Sequence, residues 1–208
     1  MAFAGEILEN PVSGERITFQ KTAKDTGGEV LIIEVEVAPR GHVPNAHRHP
    51  NQVERFEVLD GALRFRKGLR TVTARAGDAV VVAPGSVHRF KNAGPGSARA
   101  RVEVRSALRM EELFETTVAL AREGRTTTTG TPRPLDLALF MREFDAEVRA
   151  PFVPAGAMRA LTAPLAWLAR RRGMDKRYHG AGPSAPRSSR DDRRPTSSCR
   201  APRHHAAS

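Results

Sequence analysis

Residues Gly41–Gly61 read GHVPNAHRHPNQVERFEVLDG, and the chemistry of the chain turns on them. His47 and His49 are two apart, so on an extended chain both imidazoles leave from one side. Glu54 opens the alternating run ERFEV. A turn at Pro50-Asn51 would return Glu54 to the same interior, with Phe56 and Val58 sharing its parity and Arg55 and Glu57 facing out. His88, within APGSVHRFKN, supplies a third imidazole. Three imidazoles and a carboxylate are borderline ligands suited to Mn, Fe, Co, Ni, Cu or Zn. On an octahedral ion they leave positions open for a substrate or dioxygen.

Working outward, strand-length pieces lie on both sides of this segment. ERITFQ, EVLIIEVEVA, ERFEVLD, ALRFRK, RTVTARA, AVVVA, HRFKN and ARARVEVR are rich in Val, Ile, Phe and Thr. Many alternate apolar with charged residues, as Val102 and Val104 do with Arg101, Glu103 and Arg105, which is the pattern of half-buried antiparallel strands. Short strands at even spacing, punctuated by Gly27-Gly28, Asp60-Gly61, Gly77-Asp78 and Pro84-Gly85, predict a sandwich or barrel over residues 15–106. After Ser106 the period becomes helical. Leu113 or Phe114, Val118 and Ala121 form one stripe, with Gly124 as its C-cap. Leu137, Phe140 or Met141, Phe144 and Val148 form a second stripe behind Pro134. Met158, Leu161, Leu165 and Leu168 form a third, which Pro164 should kink or divide. Trp167 near a basic end raises an interfacial membrane contact, but packing against the barrel or a dimer partner is the preferred reading.

The segment resembles the first motif of the cupins: Gly41, His47-x-His49, Glu54 and Gly61. Gly77, Ala83-x-Gly85, His88 and Asn92 are similar to the second motif, except that the expected proline at 83 is alanine and Pro84 follows it. The resemblance covers residues 15–106. It implies a mainly β fold, a small jelly-roll β-barrel, with a divalent transition metal (Fe, Mn, Ni, Cu or Zn) on His47, His49, Glu54 and His88. The helices of residues 107–172 look like an appendage without a chemical motif. Gly61 and Gly77 are expected at positive φ, and Asn92 is read as bracing a turn. His42 is read as exposed, Gln52 as a turn-stabilising amide, and Arg64 and Arg66 as solvent-facing.

The formal charge is +11, but residues 170–208 carry eleven Lys and Arg against three Asp, and residues 1–169 carry twenty-three basic against twenty acidic side chains. The basicity therefore belongs to a tail, read as disordered over residues 173–208 because its Pro, Ser, Gly and Arg cannot bury a core. Cys199 within it cannot pair internally, and His204-His205 fixes no geometry. This placement argues against a specific nucleic-acid partner. With no transmembrane run and no basic-then-apolar leader, a cytoplasmic protein is expected. Two functions stay open. One is a metal-dependent enzyme, dioxygenase- or isomerase-like, acting on a small organic molecule. The other is a non-catalytic ligand-binding or regulatory cupin. Barrel edges and the last apolar helix favour a homodimer.

Overall fold

The computed structural model describes residues 2–43 and 45–178. Nine strands come first: β1 Ile7–Asn10, β2 Glu15–Lys21, β3 Val30–Val37, β4 Val53–Asp60, β5 Ala62–Lys67, β6 Arg70–Arg75, β7 Ala79–Val82, β8 His88–Asn92 and β9 Ala98–Arg105. Three helices follow, α1 Met110–Arg122, α2 Pro134–Glu143 and α3 Ala155–Arg171. All eight expected strands form. β1 is the addition, a four-residue edge strand too short to show a period.

Two antiparallel sheets face each other, one in the order β1-β2-β3-β9-β4-β7 and the other β6-β5-β8. Late β9 lies between β3 and β4, so Val102 sits opposite both Ile33 and Phe56. Alternation sets the inner face: Leu31, Ile33, Val35 and Val37 of β3 point into the core, as do Ala98, Ala100, Val102 and Val104 of β9. Phe56, Phe65 and Phe90 join the sheets, with ring centroids 5.1 to 5.5 Å apart. Gly61 turns β4 into β5 at φ 71°, and a Cβ there would lie 2.8 Å from the Ser97 carbonyl, so only glycine fits. Gly77 also has positive φ, 90°.

The six-stranded sheet extends beyond the three-stranded one, and the helices cover the overhang. Met110, Leu113 and Val118 of α1 are buried, α1 packs along β1, and Gly124 caps α1 in the left-handed conformation. Pro134 opens α2, which buries Ala138, Leu139 and Phe140 and ends at Glu143, before Val148.

The third stripe is corrected. α3 runs undivided past Pro164 and buries Thr162, Ala166 and Ala169, while Leu161, Leu165 and Trp167 stay exposed. Small residues face α2 because they let two helices approach closely; size alone misread the inward face.

The start of the tail is corrected as well. Gly173 leads into a short 3-10 helix, Met174–Arg177, and Tyr178 is buried with its hydroxyl donating to the Asp136 carbonyl at 3.1 Å. Cys199, His204 and His205 lie outside the described residues. No helix among the described residues is long and apolar enough to cross a membrane.

Candidate metal centre

His47 and His88 face each other across an isolated antiparallel bridge. Each backbone N–H donates to the other's carbonyl, at 3.0 and 2.8 Å. The Gly85 N–H donates to the His49 carbonyl at 2.7 Å, so the turn before β8 is tied to the loop before β4. These backbone bonds bring the two halves of the sequence pattern together. The three imidazoles offer nitrogens within 4.8 Å of one another, and His49 and His88 are buried. Glu54, at the second position of β4, points its Oε2 to 2.8 Å from His88 Nε2 and 3.4 Å from His49 Nε2.

Each ring is held by its other nitrogen. His47 Nδ1 lies 3.0 Å from the Asn45 carbonyl, His49 Nδ1 2.6 Å from the Glu147 carbonyl, and His88 Nδ1 3.1 Å from the Ser86 carbonyl. A carbonyl only accepts, so each Nδ1 carries a proton, and each ring when neutral turns its Nε2 lone pair to the centre. Three lone pairs and a carboxylate therefore converge in a buried space. His88 Nε2 and Glu54 Oε2, 2.8 Å apart, hydrogen-bond each other when that ring is protonated, whereas His49 Nε2 has no hydrogen-bond partner among the described residues. A cation can take the place of the His88–Glu54 proton and accept the three Nε2 atoms and the carboxylate together, so the donor set fits a bound metal ion.

The electrostatics differ from ring to ring. Burial, with His49 and His88 nearby, pushes the His47 imidazole down to about 3 and keeps it neutral at ordinary pH. Burial opposes ionisation of Glu54, but positive charge on the imidazoles, His49 foremost, and a hydrogen bond from His88 outweigh it and hold the carboxyl down at about 2; against its own burial, the same Glu54 contact pushes the His88 imidazole up.

The helical extension takes part in this site, which the sequence reading missed. The Glu147 carbonyl orients His49, and Arg149 pairs through its backbone with Arg48 at 2.9 and 3.0 Å. Asn45 Nδ2 donates to Thr131 Oγ1 at 2.7 Å. These are backbone and loop contacts, which no spacing of side-chain types announces. The site opens onto a cavity of about 560 Å³ walled by both sheets and by α1, α2 and α3. Glu15 of β2 lines it too. The sequence signal for Glu15 was available: it shares parity with buried Ile17 and Phe19.

The remaining expected residues fall as follows. Asn92 braces turns, its Nδ2 donating to the carbonyls of Val37, Ala38 and Gly96 and its Oδ1 accepting from the Gly94 N–H. Phe56 and Val58 are interior, Arg64 and Arg66 are exposed, and Arg55 pairs with Glu57 at 2.9 Å. His42 is half-buried, bridged to Lys91 and away from the cavity. Gln52 is fully buried, and neither amide atom has a hydrogen-bond partner among the described residues. It therefore does not stabilise the turn by hydrogen bonding.

Residues 33–104 match the family model described as the cupin domain. No curated protein matches the chain. Solved structures similar to it include an RmlC-like cupin from Shewanella frigidimarina, 16% identical, covering 53% of this chain and 94% of that one with a TM-score of 0.45. A predicted oxalate decarboxylase from Thermotoga maritima is 19% identical over 48% of this chain and 90% of its own, with a TM-score of 0.43. A sugar phosphate isomerase of the cupin superfamily from Silicibacter pomeroyi is 21% identical over 45% and 60%, with a TM-score of 0.40.

Proposed function

Starting from a chain whose residues 33–104 are a cupin domain, we propose that His47, His49, Glu54 and His88 hold a divalent transition metal, Fe, Mn, Ni, Cu or Zn, and that the protein uses it to transform a small organic molecule, as a dioxygenase- or isomerase-like enzyme. The observation that carries this reading is the convergence of three Nε2 atoms on one carboxylate, with each ring's Nδ1–H held by a carbonyl. When bound, the ion supplies Lewis-acid polarisation of a substrate oxygen and, if redox-active, a site for electron transfer.

The chain's own residues do the rest. The Asn45, Glu147 and Ser86 carbonyls keep the rings from rotating, so the donor positions are set before anything binds. Of the two carboxylates lining the cavity, Glu54 and Glu15, Glu54 alone touches the imidazoles, and its Oε2 is the base nearest a molecule seated there. His49, Glu54 and His88 are buried at that end, which strengthens each charge interaction among them.

The test is elemental analysis of tag-free protein prepared without chelator, beside His47→Ala and His88→Ala. Near-stoichiometric metal in the parent, lost in both variants, supports the site. Oxygen uptake with diketones and catechols then separates redox from non-redox chemistry. Parent protein that stays metal-free after reconstitution overturns the proposal and leaves a ligand-binding barrel. Bound metal should also raise the melting temperature, because it binds the folded state alone, and chelation should reverse that rise.

A further inference from the structure

The cavity is larger and more apolar than a metal and a small polar substrate require. Its volume of about 560 Å³ lies well inside the range of sites for drug-sized molecules. Ile17, Val35, Phe56, Leu113, Val118 and Phe140 are among its walls, drawn from both the barrel and the helices. Filled with water it would hold on the order of 20 molecules at ~30 Å³ each, and every one would need several polar partners.

The walls offer few. Thr117 and Thr162 spend their hydroxyls on the Leu113 and Met158 carbonyls of their own helices. Asn45 and Thr131 bond each other, Arg149 is held by Asp145, and Asn10 Oδ1 takes the Val12 and Ser13 amides. The polar features with acceptors to spare are the imidazole–Glu54 cluster and Glu15. Glu15 accepts one hydrogen bond among the described residues, from Ser13 Oγ at 2.8 Å, though a carboxyl group can make about four.

These two features sit at opposite corners of the six-stranded sheet. Glu54 pairs with Val104 of β9, whereas Glu15 pairs with Val37, which pairs with Ala98 of β9. Six residues of β9 separate the two registers, roughly 20 Å along the strand, before the sheet's curl shortens the path. A space lined from both corners is elongated. Burial pushes the Glu15 carboxyl up to about 7, so its protonated form, a donor as well as an acceptor, is well populated near neutrality.

We propose that this cavity takes an elongated apolar molecule with an oxygen donor at the imidazole end and a hydroxyl or carbonyl that Glu15 reads at the far end; in chemical class, a medium-chain hydroxy- or oxo-acid. The proposal rests on the metal reading for the head of the molecule and on the cavity walls alone for its tail. Burying the chain supplies the affinity, and Glu15 selects the far group, because a plain methyl end would cover a carboxyl whose one hydrogen bond among the described residues is from Ser13.

The experiment is calorimetric titration of the full-length, metal-reconstituted protein with straight-chain carboxylates from butanoate to tetradecanoate, and with their ω-hydroxy counterparts. Metal content is measured on the same samples. Affinity should rise about fourfold per methylene until the cavity is full and then level off. Leu137→Trp and Thr117→Phe, which narrow the cavity from α2 and α1, should bring that plateau to shorter chains. Glu15→Leu should remove any advantage of the ω-hydroxy series and leave the chain-length slope intact. Metal-loaded protein that binds every chain length equally overturns this proposal and leaves the metal centre standing. A slope that persists in protein unable to hold metal overturns the metal reading and leaves the cavity assignment standing. A plateau unmoved by both narrowing variants places the binding elsewhere and overturns the assignment.

Discussion

At the scale of single residues, the cluster and two isolated polar groups follow one rule: a buried polar atom is expensive until something meets it. The imidazoles and Glu54 are met by a cation in our reading, but nothing meets Gln52. Its amide is fully buried and makes no hydrogen bond among the described residues. Replacing it with an apolar side chain of similar length removes that cost, so Gln52→Met should stabilise the fold by about 1 kcal/mol in denaturant unfolding. A loss of stability would show that the amide has a partner. Glu15 gives a pH signature. Its folded-state pKa, raised by burial to about 7, exceeds the ordinary 4.5. The folded chain therefore keeps a proton that the unfolded chain has released. The stability associated with this group is fully present below pH 4.5 and is lost as pH rises through about 7. The fall should be on the order of 1–3 kcal/mol and should be flattened by Glu15→Gln. An identical pH profile for the variant would rule Glu15 out as the source.

At the scale of elements, legibility tracks the kind of burial. Strands announced themselves because a two-residue period puts every other residue of β3 and β9 into one core, and those side chains are large and branched. Parity also puts His47 and His49 on one side of an extended segment, while His88 reaches them through a backbone bridge to His47 that no side-chain spacing announces. Helix faces were harder to read. On α3 the contact surface is Thr162, Ala166 and Ala169, and a rule that counts large apolar residues turns the helix the wrong way. The loop entering α3 carries a feature that composition does not show: Phe152 has φ 62° and is 86% exposed. A bulky side chain in the left-handed region is strained, and this one buries little in return. Phe152→Asn, which tolerates that conformation, should raise stability by about 1 kcal/mol by thermal unfolding. A decrease would mean that the ring covers something in the assembled protein.

At the scale of the whole molecule, the barrel and its helices are one unit, because the six-stranded sheet is too wide for its partner and the ligand-bearing loop leans on residues 145–153. Within the described residues that unit reaches as far as Tyr178. Composition assigned everything after Gly173 to a solvated tail, since one aromatic among Pro, Ser and Arg promises little burial. That aromatic nevertheless closes the lower side of α2: the ring is 6% exposed and its hydroxyl satisfies the Asp136 carbonyl. Asp136 is itself buried and bound through both oxygens by Arg125, so Tyr178 covers a charged pair that water would otherwise reach. Ending the chain after Tyr178 should leave the melting temperature and metal content at parental values. Ending it after Gly173 should remove a buried aromatic worth about 3–4 kcal/mol and lower the melting temperature by on the order of 10 °C, with metal content unchanged. Tyr178→Phe separates the two contributions: it keeps the ring, gives up the hydrogen bond, and should cost only about 1 kcal/mol. Equal melting temperatures for the two truncated chains would return the boundary to Gly173 and make the docking of Tyr178 energetically idle.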